Sequence, residues 1–322
     1  MSALASPASL KGVLPAVDAA AALAHGFRAA GVETVELAVA DGGEGTAEVL
    51  AAALGGDWHE AVVSDPIGRP VTARWLMLPD RTAVVESAEA IGLGRLAPDE
   101  RDPLHASSWG LGELIHAALE QAPDELLVCL GDSATVDGGA GLMELHGGFP
   151  VPATAACDVA NPLLGPRGAA YAFGPQKGAP PEAVAELEGR LARRKSLAPV
   201  AGLPGAGSAG GLGAALAALG AELVSGAELV LRRIGFRRAA QQAEIVVTGE
   251  GTVHRSTAEG KAPGAVLRVC REEGVRCAVF GGRVEEPLAG AEMHELPGGP
   301  ARSSEALIEL GASLAQLLCE RL

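Results

Sequence analysis

Apolar runs that stop at a glycine and acid cluster and then restart as a helical pattern recur along this chain. Val35–Ala40 and Leu126–Leu130 each run into a Gly/Asp loop followed by helical periodicity, the punctuation of βα units. The alternation returns at Glu244–Thr248 and Cys277–Phe280, with helical spacing over Gly264–Glu273 and Glu305–Leu318. The segment between reads differently. Ala61–Val63, a turn at Pro66-Ile67-Gly68, Val71–Leu78, a Pro79-Asp80 turn and Thr82–Val85 predict an antiparallel meander. A mixed sheet inside a parallel pattern predicts two α/β domains, a discontinuous one over 1–60 plus 245–322 and an inserted one over 61–244. The length of 322 residues agrees with two cores.

Composition changes this picture little. Apolar residues make up 48% and charged residues 20%, so the chain is expected to be compact and wholly folded. Ser196–Ala221 carries no charge, yet Pro199, Pro204 and its glycines make it a loop plus a buried helix rather than a membrane span. The formal charge of -15 disfavours nucleic acid and acidic lipid as partners and leaves small molecules. Five cysteines without a CxxC pair suit a reducing cytoplasm, and Asp18 interrupts what would be a signal sequence, so a cytoplasmic location is expected.

Three segments carry candidate chemistry. Asp41-Gly42-Gly43-Glu44-Gly45-Thr46 lies between the strand Val35–Ala40 and a helix over Ala47–Leu54. Its glycines let backbone amides approach an anion, and Asp41 and Glu44 can hold Mg²⁺ or a hydroxyl. Taken alone it reads as an ordinary βα turn, since such turns are common. The second segment, Gly131–Gly141, follows the next apolar strand and adds the hydroxyls of Ser133 and Thr135 and the carboxylate of Asp137. The third, Thr248-Gly249-Glu250-Gly251-Thr252, reads as a loop after a strand ending at Val247, and Lys261 opens the next helix as a phosphate-neutralising cation. Lys11, after a short first strand, is a second cation. Such loops at strand C-termini mark where open α/β sheets bind ligands, and phosphoryl transfer needs those parts.

Rival motifs fail. Gly260-Lys261-Ala262 lacks the upstream Gly and the Ser/Thr of a P-loop. Gly205–Gly210 matches GxGxxG, but Pro199 and Pro204 spoil the preceding strand; nucleotide contact through Gly207 and Gly210 stays open. No HExxH or GxSxG is present, which removes the zinc and serine hydrolase readings.

At these loops the sequence resembles the two-domain, non-P-loop glycerate kinase family of bacteria, along nearly its whole length. The likeness runs through Ser9-Leu10-Lys11-Gly12, the Asp41 loop, Ser64–Val71, Ala88-Glu89-Ala90, Gly110–Ile115, the Gly131 loop, Asn161-Pro162-Leu163, Phe173–Ala179, Gly205–Gly213 and Gly249-Glu250-Gly251. The resemblance implies a Rossmann-like parallel-sheet domain interrupted by a second α/β domain with a mixed sheet. It implies ATP, Mg²⁺ and D-glycerate, with the 2-phosphate product favoured over the 3-phosphate; a homodimer is compatible with it. On it, Lys11, Asp41, Asp137, Glu250 and Lys261 are expected to be catalytic, and Asp41, Glu44 and Asp137 to hold metal. Ser9, Glu44, Thr46, Glu89, Ser133 and His254 are expected at the acceptor. Gly42, Gly43, Gly45, Gly131, Thr135, Gly138, Gly139, Gly207 and Gly210 are expected at the nucleotide.

The sequence departs from that family at Ala8, Ile91 and Val136, where Asp, Ser and Asn are expected, and at Thr252, His254 and Ser256, where Arg, Asp and Gln are. Gly131-Asp132 also replaces a Gly-Gly pair. Two alternatives therefore stay open: a degenerate homologue that binds nucleotide or carboxylate without turnover, and a kinase for another small hydroxy acid.

Overall fold

The computed structural model describes residues 2–258 and 260–320. Among them the strands are, in chain order, β1 (Ser2–Ala5), β2 (Glu33–Glu36), β3 (Asp57–Ser64), β4 (Pro70–Met77), β5 (Thr82–Glu86), β6 (Glu125–Leu130), β7 (Ala153–Cys157), β8 (Glu222–Ser225), β9 (Ile245–Val253), β10 (Arg276–Val284) and β11 (Glu292–Glu295). The chain divides into two compact units, one of residues 1–41, 48–53 and 227–322, the other of 42–47 and 54–226.

The first unit is built on a five-stranded sheet in the order β11-β10-β9-β1-β2, parallel throughout. Its inner strands Ala3-Leu4-Ala5 and Ile245-Val246-Val247 are buried on both faces, as parallel strands covered by helices must be. The helix Ala16–Ala29 lays Leu23 and Phe27 into that core and packs against the helix Ser303–Cys319. Glycine sets how closely they cross: a methyl on Gly26 would lie 2.1 Å from the Ile308 carbonyl oxygen, and one on Gly311 2.4 Å from that of Leu23.

The second unit holds a six-stranded mixed sheet, β3-β4-β5-β6-β7-β8. β3, β4 and β5 form the antiparallel meander read from the sequence, and β5 to β8 are parallel. The β3–β4 turn is tied by Asp65, whose Oδ1 accepts the amides of Ile67 and Arg69 at 2.9 Å each while Oδ2 takes Arg69 Nε. The Gly110–Ile115 motif is scaffold too. Gly110 lies where a methyl would sit 1.7 Å from the Ser64 carbonyl oxygen, and Glu113 accepts the Ser64 amide and the Trp109 indole N–H.

Two local expectations change. β2 ends at Glu36, and the chain stays extended beside β1 through the bonds Leu37 N–H to Ala5 and Val39 N–H to Pro7. The third glycine segment is strand rather than loop. β9 continues through Gly249-Glu250-Gly251 to Val253 because β10 offers a matching ladder, with Gly249 opposite Phe280 and Thr252 opposite Arg283. Ser196–Ala221 is a turn and a helix over Ser208–Ala218, and no helix of the described residues is long and apolar enough to cross a membrane.

Candidate active site

In the second unit, the buried apolar strand β5 delivers Glu86 to the start of the helix Thr46–Leu54. Its Oε2 accepts the Gly45 amide at 3.1 Å and its Oε1 the Ala47 amide at 2.6 Å, so a carboxylate satisfies amides that a helix start leaves open. Thr46 Oγ1, buried beside them, has no hydrogen-bond partner among the described residues. Ser87 fixes the neighbouring loop: its Oγ donates to the Gly131 carbonyl at 2.9 Å and accepts the Gly131 amide at 3.2 Å. A methyl on Gly131 would fall 2.7 Å from Gly43 Cα, so the Gly43-Glu44 backbone and Gly131 meet backbone to backbone.

Beyond Gly131 the loop is clamped from beneath. Ser133 Oγ donates to the Ala209 carbonyl at 3.0 Å and accepts from Lys177 Nζ at 2.9 Å, and Lys177 Nζ also donates to the Thr135 carbonyl at 2.8 Å. Lys177 is buried, and desolvation pulls its pKa down to about 7 against the opposing pull of the Asp137 and Asp132 carboxylates. Ala209, Gly210 and Gly211 are left-handed in succession, and a methyl on Gly210 would lie 1.9 Å from the Thr135 carbonyl oxygen. Thr135 Oγ1 is buried without a hydrogen-bond partner among the described residues.

Asp137 faces inward to the scaffold. Its Oδ2 accepts the Ser108 amide (2.9 Å), the Ser108 hydroxyl (2.7 Å) and the Gly141 amide (3.4 Å), and its Oδ1 accepts the Gly139 amide (3.0 Å). Gly138 and Gly139 are left-handed and packed against Leu191 and Ala215, and Gly207 packs on the Pro162 carbonyl, so helix and loop packing accounts for these glycines. Glu89 pairs with Arg74 at 2.7 Å and Arg95 at 3.7 Å.

In the first unit, Glu250 on β9 accepts a hydrogen bond from Thr257 Oγ1 at 2.6 Å and lies 3.6 Å from Lys261 Nζ. Lys261 stands at the N-cap of the helix Ala262–Glu273. Ser9 and Lys11 are exposed, and the Leu10-Lys11 backbone passes Gly251 at contact distance. Asp41 is half-buried, and its carboxylate makes no hydrogen bond or ion pair among the described residues; Glu44, in the second unit, is exposed. His254 Nδ1 accepts the Ser256 amide at 3.2 Å and faces its hydroxyl at 2.9 Å, the capping geometry an aspartate supplies at a helix start.

Among the described residues no group of three or more His, Cys, Asp or Glu side chains is arranged to hold a metal. Of the carboxylates expected to do so, Asp137 has its oxygens taken by four donors, whereas Asp41 keeps both available. Asp41 therefore offers a hard cation a single carboxylate. Ile91 and Val136 pack into the second unit's core, which accounts for their apolar character. Reading the sequence missed Glu86, Ser87, Ser108, Lys177 and Thr257 as parts of these clusters. For Lys177 a signal existed, a lysine inside the Phe173–Ala179 motif.

The profile of the Glycerate kinase family matches residues 3–149 and 148–299. The chain is 36% identical to a glycerate kinase of Bacillus subtilis, over 91% of this chain and 88% of that protein. It is 37% identical to a glycerate 2-kinase of Escherichia coli, over 84% of this chain and 82% of that one. A crystal structure assigned as glycerate kinase 2 of Salmonella typhimurium LT2 superposes with a TM-score of 0.86 at 31% identity, covering 100% of both chains.

Proposed function

Because the chain belongs to the glycerate kinase family, we propose that it transfers the terminal phosphoryl group of ATP to a hydroxyl of D-glycerate, the 2-hydroxyl in preference to the 3-hydroxyl. The observation that carries this reading is the match to curated glycerate kinases at 36–37% identity over 84–91% of the chain. Phosphoryl transfer asks a protein for positioning and charge neutralisation more than for covalent chemistry. The backbone amides of Gly42 and Gly43, with the Thr46 and Thr135 hydroxyls, offer donors to phosphate oxygens, whereas the amides of Gly45 and Gly131 are taken by Glu86 and Ser87, which leaves Gly131 the role of close backbone approach. Within the first unit, Lys11 and Lys261 are the cations suited to phosphate, and Glu250 orients Lys261. Mg²⁺, bound with the nucleotide and held by Asp41, would neutralise charge on the transferring group.

The altered positions do not favour a degenerate enzyme. Ile91 and Val136 are core residues, and His254 keeps a capping interaction. An assay coupling ADP release to D-glycerate addition, with ³¹P NMR of the product, tests the reading. Expected are turnover with a 2-phosphate product, and a loss of about 100-fold in kcat/KM for Lys261→Ala. ADP release at background rates with saturating substrates would overturn it.

A further inference from the structure

Lys177 is a buried lysine, 3% exposed. Its Nζ joins three segments: the turn Pro175–Lys177 that carries it, the Gly131–Thr135 loop through Ser133 Oγ and the Thr135 carbonyl, and the left-handed Ala209–Gly211 run through the bond from Ser133 Oγ to Ala209. The two protonation states differ in what they need. A neutral amine has two N–H groups, and both find an acceptor at 2.8 to 2.9 Å. An ammonium brings a third N–H, for which the described residues supply no acceptor within hydrogen-bond reach, although the Thr135 hydroxyl in the same loop is itself buried and unpartnered.

We propose that Lys177 is a positioning residue whose charge strengthens nucleotide binding by the Gly131–Thr135 loop: an ammonium beneath the loop raises its potential for phosphate, and the neutral amine holds the same geometry without that attraction. This rests on the loop taking phosphate, as argued above. The field acts across a dry interior, where a charge is felt more strongly than in water. The charged groups that face Lys177 are the Asp132 and Asp137 carboxylates; Arg194 reaches the same loop by donating to the Asp137 carbonyl at 2.8 Å. Burial lowers the lysine's affinity for protons and the carboxylates restore part of it, leaving a midpoint of about 7. Binding is therefore tighter below that midpoint and weaker above it. By reciprocity, bound ATP raises the midpoint.

The experiment measures ATP dissociation constants by calorimetry from pH 6 to 8.5 for wild type, Lys177→Met and Lys177→Gln, and takes the variant-to-wild-type ratio so that the nucleotide's own titration cancels. The expected ratio is about tenfold at pH 6, falling toward unity at pH 8.5. A ratio independent of pH would overturn the proposal, since a merely structural lysine would weaken binding equally throughout. Should neither variant fold, ¹⁵N NMR of the Lys177 side chain in wild type reads the same linkage, with an upward shift of about one pH unit expected in saturating ATP. An unmoved midpoint would overturn the proposal. ATP binding without glycerate-dependent ADP release would defeat the kinase reading and leave the Lys177 test intact, whereas wild-type protein that binds no ATP overturns both.

Discussion

Gly131–Gly141 and Thr248–Lys261 are both glycine-rich, acid-bearing and placed at the end of an apolar strand, yet their carboxylates serve opposite ends. Asp137 is surrounded by donors that belong to the scaffold: the Ser108 amide and hydroxyl and the Gly139 and Gly141 amides. Glu250 is met by Thr257 and by Lys261, a side chain that is 30% exposed. The glycines differ likewise. In the first segment Gly131 and Gly141 make room for close backbone contact; in the second Gly249 does so against the Phe280 carbonyl of β10, a partner within the sheet, while Gly251, beside Glu250, has nothing nearer than ordinary contact distance. An acid next to glycine is thus not by itself a functional signal; the origin of its donors decides.

The largest effect that can break this comparison is steric. Gly210→Ala would place a methyl 1.9 Å from the Thr135 carbonyl oxygen at a residue with φ of 76°, and should destabilise by more than about 3 kcal/mol. Gly251→Ala, whose nearest neighbour lies 3.6 Å away, should stay within about 1 kcal/mol of wild type. Urea unfolding of the two variants checks the contrast. Equal losses would show that the backbone packed on the Thr135 carbonyl is no tighter than the backbone beside Glu250.

The second effect separates stability from turnover. Asp137→Ala orphans four donors, among them the Ser108 hydroxyl, and should cost about 2 to 4 kcal/mol of folding free energy. Glu250→Ala removes one short hydrogen bond and a partly exposed ion pair at 3.6 Å, worth about 1 kcal/mol in stability, but should lower kcat/KM by about tenfold or more. Denaturant midpoints measured beside kinetics at a temperature where both variants are folded make the distinction. A stable Asp137→Ala protein would return that carboxylate to the candidate catalytic groups.

The same contrast explains what the sequence makes legible. The βα alternation, the meander and the helix Ala262–Glu273 are written in local periodicity and turn residues, so they can be read without the fold. The extension of β9 cannot, because Gly249 and Gly251 read locally as breakers and become strand only when β10 pairs with them. Asp137 depends on Ser108, 29 residues earlier, and Lys177 on Ser133, 44 residues earlier, so neither role has a local signature. Of the expected site residues, those whose role is backbone approach, such as Gly43 and Gly131, were visible as composition. Those whose role is a long-range hydrogen bond, such as Glu86, were not.

The smallest effect concerns strain, which the Gly131–Gly141 neighbourhood holds and the β9 segment does not. Asp132 and Ala209 are both non-glycine residues with φ of 51°, where an L side chain costs about 1 kcal/mol or more, less for aspartate than for alanine. Ala209→Gly should therefore stabilise by about 1 kcal/mol, partly offset by the greater freedom of glycine in the unfolded chain. Asp132→Gly should gain only about half as much, because an aspartate already tolerates the left-handed region. It also removes a carboxylate whose field favours the Lys177 ammonium, so the side-chain midpoint should move further down from about 7. Thermal melting paired with the Lys177 ¹⁵N titration reads both consequences at once. A gain in stability with an unmoved midpoint would mean that Asp132 contributes only strain, and that the charge beneath the loop answers to Asp137 alone.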